Sequence, residues 1–285
     1  MERVPAVFVE ELLRTVMPMR PVSFKMNELS GIFGQCFKQF KENFNRKYLI
    51  VGNSQPMQVF YTDANMDVVP EIEAPRKFRH SKYVQYRTAG DSVPAIDAKL
   101  SAVLKEFIKE RGLLHLMLLS SNLDENWISR FISWEGLNVV QIDSLCHFDE
   151  HVTRLLETLL ENEQLVILGV YTETYDARAI DLFLNFFAQK QFRVLELHGQ
   201  HDSFKERFLA VGNRIEYTGK ALEWRGAVQL HDDSFRMIKW KEYIVVVFKK
   251  GNMYVTYLNR AGTAGQTMEQ FMSGVTDVRV DYFFR

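Results

Sequence analysis

Residues 165–171 read LVILGVY. The run is of strand length, and it is one of four. LLHLMLL (113–119), LNVVQID (137–143) and FRVLELH (192–198) share its pattern, and the successive starts Leu113, Leu137, Leu165 and Phe192 lie 24, 28 and 27 residues apart. Between them sit DENWISRFISW (124–134), DEHVTRLLETLLENEQ (149–164) and DARAIDLFLNFFAQKQ (176–191). Each opens on aspartate, a residue whose short carboxylate caps the free N–H groups of a helix start. Each then places apolar residues at helical spacing. A strand and a helix recurring at this period is the pattern of leucine-rich-repeat-like solenoids. It predicts an α/β fold of strand-helix repeats with a parallel sheet.

The columns of the repeat predict which face is which. With the four runs aligned at their first residues, the fourth column is Leu116, Val140, Leu168 and Leu195, and the sixth is Leu118, Ile142, Val170 and Leu197. Both are aliphatic and two residues apart, so they belong to one face of a pleated strand and meet the helices. The fifth column (Met117, Gln141, Gly169, Glu196) and the seventh (Leu119, Asp143, Tyr171, His198) are mixed. A parallel sheet covered on both faces reads apolar throughout, so these columns predict an open face. Gln141, Asp143, Tyr171, Glu196 and His198 are the candidate partner-binding residues, with Tyr171 as anchor because aromatic side chains dominate binding hot spots.

Upstream, PAIDAKLSAVLKEFIKERG (94–112) predicts a helix with stripe Leu100, Val103, Leu104, Phe107 and Ile108, capped by Asp97 and stopped by Gly112. KYLIVGN (47–53) and MQVFYTD (57–63) predict two strands around a turn, and KYVQYRTA (82–89) one more. VVPEIEAPRKFRH (68–80) is the best linker candidate. PAVFVEELLRTV (5–16) and NELSGIFGQCFKQFKENF (27–44) predict amphipathic helices, separated by a segment whose prolines break the chain. Downstream, FRMIKW (235–240), YIVVVFKK (243–250) and MYVTYLNR (253–260) predict strands, the last two joined by a Gly251-Asn252 hairpin turn. Residues 265–285 predict a short helix and a strand. The domain division expected is 1–46, a helical region; 47–93, a strand and hairpin connecting region; and 94–285, the repeat domain with its C-terminal hairpin.

Composition narrows the function classes. The chain has 285 residues, 47% of them hydrophobic, with 35 Lys plus Arg against 36 Asp plus Glu and a net charge of -1. That balance argues against a nucleic-acid backbone or an anionic membrane as partner. The longest apolar runs are too short to span a bilayer. Two cysteines, Cys36 and Cys146, make no disulfide framework or metal knuckle. No basic leader opens the chain, so an intracellular protein of cytoplasm or nucleus is expected.

One stretch suggests catalysis. HFDEH (147–151) reads H-x-x-E-H, the pattern in which two zinc-binding histidines stand one helical turn apart beside a glutamate base. A zinc peptidase is therefore the catalytic alternative. In the repeat frame, however, Asp149 occupies the place of Asp124 and Asp176, which makes it a helix cap and leaves His147 before the helix. No metal and no cofactor are expected on that frame, and no enzymatic role.

The opening MERVPAVFVEELLRTV, the following LSGIFGQCFKQFKENF and the strand KYLIVG resemble the start of a large, divergent nematode family of F-box-related proteins with a leucine-rich-repeat-like C-terminal region. The resemblance matches Val4, Pro5, Phe8, Leu12 and Leu13 to the opening signature of the F-box. It implies that these residues dock on a Skp-type adaptor of a cullin-type ubiquitin ligase, while the repeats hold a protein substrate. The centre of the region departs from the family: it offers Leu29-Ser30 and Phe33 where two further conserved steps stand in the family. A repeat scaffold with no ligase link is the rival expectation.

Overall fold

The computed structural model describes residues 31–52, 57–63, 66–74, 78–88, 92–172, 175–198, 220–225, 235–240, 243–250, 253–259 and 275–283. The chain divides into two compact units, Met1–Gln141 and Ile142–Arg285.

In the first unit, α1 (Gly31–Asn43) leads into β1 (Asn45–Gly52), β2 (Gln58–Thr62) and β3 (Val68–Val69). A 3-10 turn at Glu71–Glu73 precedes β4 (Arg79–Arg87). Then the alternation begins: α2 (Ala98–Lys109), β5 (Leu113–Leu118), α3 (Glu125–Ile132) and β6 (Leu137–Ile142). The sheet order is β3-β2-β1-β4-β5-β6. β2 pairs antiparallel with β1 and β3, while β1, β4 and β5 run parallel. The aromatic stripe of α1 closes a small core of its own, with Cys36, Phe37, Phe40 and Phe44 buried and Phe78 packed against them.

In the second unit, α4 (Glu150–Glu161), β7 (Ile167–Val170), α5 (Ala177–Ala188) and β8 (Val194–Leu197) continue the alternation. Five further strands follow: β9 (Ala221–Arg225), β10 (Phe235–Trp240), β11 (Tyr243–Lys250), β12 (Met253–Asn259) and β13 (Val275–Phe283). The order is β7-β8-β9-β13-β12-β11-β10. β7, β8 and β9 are parallel, and the rest is an antiparallel meander. Lys250 pairs with Met253 in the antiparallel β11–β12 ladder, while Gly251 and Asn252, the expected hairpin turn, lie outside the described residues. The parallel repeat therefore ends at β9. The short helix expected ahead of β13 lies outside the described residues.

The starts of α2 to α5 obey one rule. Asp97, Asp124, Asp149 and Asp176 are extended residues whose carboxylates accept from the backbone N–H three residues on, at 2.7, 2.9, 3.0 and 2.9 Å. The helix ends are closed from elsewhere in the fold. Lys82, buried on β4, donates its ammonium to the carbonyls of Phe107, Ile108 and Glu110 at the end of α2. Burial pushes that ammonium down to about 8, and the nearby Glu110 opposes the shift. Lys220, just before β9, does the same for Phe187 and Gln189 at the end of α5, at 2.5 and 2.6 Å. A cation on orphan carbonyls both satisfies them and sits at the negative end of the helix dipole.

The fourth and sixth columns are buried, as their aliphatic character demands. The opposite face is less open than the mixed columns predict. His115, Val139, Ile167 and Val194, the third column, are buried there, and so is Gly169, while Met117, Gln141 and Glu196 are half-buried. In the first unit the reason is cross-strand packing: Phe60, Tyr48, Tyr83 and His115 stack in one row across β2, β1, β4 and β5, with successive centroids 4.7, 4.7 and 4.2 Å apart. Among the described residues, no helix is long and apolar enough to cross a membrane.

Candidate recognition site

Parallel strands present their C-terminal ends together, and that end is where open α/β sheets place their ligands. In the second unit this end gathers three of the predicted residues. The Tyr171 N–H donates to the Ile142 carbonyl at 2.7 Å, and the His198 N–H to the Val170 carbonyl at 2.8 Å. These two bonds continue the ladder one residue past β7 and β8, and so set the side chains of Tyr171 and His198 next to one another.

Their geometry follows from a glycine. A Cβ on Gly169 would come within 3.2 Å of the Tyr171 ring, so the ring folds back over its own strand at the one residue that leaves room. That pose carries the phenol to the next strand, where it donates to Glu196 Oε2 at 2.5 Å. The His198 ring stands edge-on to Tyr171, with centroids 4.1 Å apart and planes at 88°. Tyrosine, glutamate and histidine thus form one half-buried group on the non-helical face.

Asp143 begins the neighbouring loop. Its carboxylate accepts from the Leu145 N–H at 3.1 Å, and its carbonyl from the Cys146 N–H at 2.9 Å, which fixes a tight turn. The turn drives Cys146 inward and Leu145 outward, 75% exposed. Burial first, then Asp149 and Asp143, push the Cys146 thiol up to about 12, so it stays protonated and unreactive. Gln141 belongs to the first unit, half-buried on β6.

Leu145 and Gly169 were not among the predicted site residues. Gly169 had a legible signal, a glycine in a column otherwise filled by side chains. Leu145 had none, because an exposed leucine differs from a buried one only through the turn that holds it. Val4, Pro5, Phe8, Leu12 and Leu13, the residues matched to an adaptor-binding signature, lie outside the described residues.

The HFDEH segment folds as the repeat frame requires. Asp149 is the N-cap, the helix starts at Glu150, and His147 precedes it in non-helical chain. His147 and His151 are exposed and do not share a helical turn. Among the described residues, no group of three or more His, Cys, Asp or Glu is placed to hold a metal ion.

Comparison with family models, with curated proteins and with solved structures gives no match.

Proposed function

We propose that the chain is a protein-recognition module built on leucine-rich-repeat-like strand-helix units, with no catalytic role of its own. It engages a protein partner through the group Tyr171, Glu196 and His198, with Asp143 and Leu145 at the rim. The observation that supports this is the cluster itself: an aromatic anchor, held in one pose by Gly169 and Glu196, at the C-terminal ends of parallel strands. A fixed aromatic loses little conformational entropy on binding, which is what makes such residues effective anchors. Gln141, half-buried on β6 of the first unit, is a further candidate contact residue.

By its resemblance to F-box-related proteins, the module serves as a substrate receptor of a cullin-type ubiquitin ligase, and the segment containing Val4, Pro5, Phe8, Leu12 and Leu13 docks on a Skp-type adaptor. The test is co-purification with such an adaptor, using the intact chain and a chain starting near residue 47. Adaptor retained only by the intact chain is the expected result. Retention by neither leaves a recognition scaffold without a ligase link.

A further inference from the structure

Five large apolar side chains stand exposed among the described residues, and four of them, Val59, Met66, Val68 and Ile72, fall within one short stretch of the first unit. Ile72 is 92% exposed and Val68 72%. Strand alternation puts Val59 on the face opposite Val68, which pairs with Thr62, so the group at β3 is Met66, Val68 and Ile72, and such a concentration marks a contact surface better than scattered apolar residues do. The stretch is also the end of a sheet: β3 pairs with β2 through Tyr61–Val69 and Thr62–Val68, and no described strand pairs with its other side. A free sheet edge offers unpaired backbone groups to an incoming strand.

Charge gives the occupant its character. Residues 58–74 contain Asp63, Asp67, Glu71 and Glu73 and neither lysine nor arginine. Asp67 and Glu71 are exposed beside Val68 and Ile72. The Tyr61 hydroxyl donates to Glu71 Oε1 at 2.8 Å and holds that carboxylate in place. One neighbouring cation, Arg46, lies on the stretch itself, bonded to the Asp63 carbonyl at 3.0 Å and to Met66, and two, Lys47 and Arg79, are committed to Glu110 at 2.5 Å.

We propose that this edge is a second docking site, separate from the Tyr171 group, for an extended polypeptide segment with alternating apolar and Lys or Arg side chains. The segment adds alongside residues 67–69. Its apolar side chains cover Val68 and Ile72, and its cations meet Asp67 and Glu71. Pro70 and the brevity of β3 restrict backbone pairing, so side-chain complementarity sets the specificity.

The experiment uses the full chain and two fluorescein-labelled nine-residue peptides, one alternating Lys and Val, the other Glu and Val, read by anisotropy. The Lys-Val peptide is expected to bind and the Glu-Val peptide not to. Binding should weaken at least tenfold in Val68→Thr/Ile72→Ser and in Asp67→Asn/Glu71→Gln, variants whose exposed positions leave the circular dichroism unchanged. It should remain in Tyr171→Ala/His198→Ala. Equal binding of both peptides, no binding of either, or undiminished binding by the edge variants overturns the proposal. So does self-association of the chain that Ile72→Ser abolishes, since that result gives the edge to a second copy.

Discussion

At the scale of single residues, three side chains carry consequences that can be measured. His115 ends the stacked row on the first unit's sheet, and neither ring nitrogen has a hydrogen-bond partner among the described residues. Burial, with the charges of His80 and Arg46 adding to it, pushes this imidazole down to about 3 from its ordinary 6.5. Between those values the unfolded chain takes up the proton and the folded one does not. Stability from this group is therefore complete above pH 6.5 and declines as pH falls toward 3. The loss between pH 7 and pH 5 is about 2 kcal/mol at ~1.4 kcal/mol per pKa unit. His115→Phe should abolish that part of the pH dependence, seen by comparing denaturant midpoints at the two pH values.

Glu110 is a second such residue. It is the shared carboxylate of Lys47 and the buried Arg79. Glu110→Gln leaves two cations without their anion and should cost about 3 kcal/mol, read as a lowered urea midpoint. Tyr171 is the third. Tyr171→Ala/His198→Ala should preserve the thermal midpoint within a few degrees and abolish partner binding. An unfolded double variant would show that these side chains hold the sheet together instead of presenting a surface.

At the scale of elements, the same device recurs at the starts of α2, α3, α4 and α5. The aspartate caps were legible because capping chemistry is local: a carboxylate, three residues of spacing and an extended backbone suffice. Asp176→Ala should destabilise by about 1 kcal/mol and Asp176→Asn by much less, checked by thermal melts of the two variants. The helix ends were not legible in the same way. Gly112 was, because its positive φ of 116° needs a residue without a Cβ, and a Cβ there would also meet the Arg79 side chain at 3.3 Å. The lysine that caps α2 from β4, however, stands 25 residues or more from the carbonyls it serves. Lys220 stands 33 residues from Phe187. Lys220→Met, which keeps the stem and removes the donor, should cost about 1–3 kcal/mol by orphaning one buried and one partly buried carbonyl.

At the scale of the whole molecule, opposite charges nearly cancel. A net charge of -1 at pH 7 and an isoelectric point near 6.7 leave little mutual repulsion between copies. Solubility in low salt should therefore pass through a minimum near pH 6.7, and turbidity against pH is the check. The two exposed features, the Tyr171 group and the β3 edge, lie in different units. A partner displaced by variants of one is therefore expected to be indifferent to variants of the other.

The sequence alone determined what depends on neighbours along the chain. The period of the strand-helix alternation, the aliphatic columns that meet the helices, the four caps and the strands β11 and β12 follow from spacing and from the chemistry of short segments. Tertiary structure decided what depends on residues brought together from afar. It stacked Phe60, Tyr48, Tyr83 and His115 into a row that half-closes the face expected to be open, and it ended the parallel repeat at β9 by pairing it with β13. It also laid Tyr171 over Gly169 and against Glu196. The physical reason is that periodicity reports only whether a position faces a core. How far the opposite face is covered depends on which strands become neighbours and in which register, and no local pattern encodes that pairing.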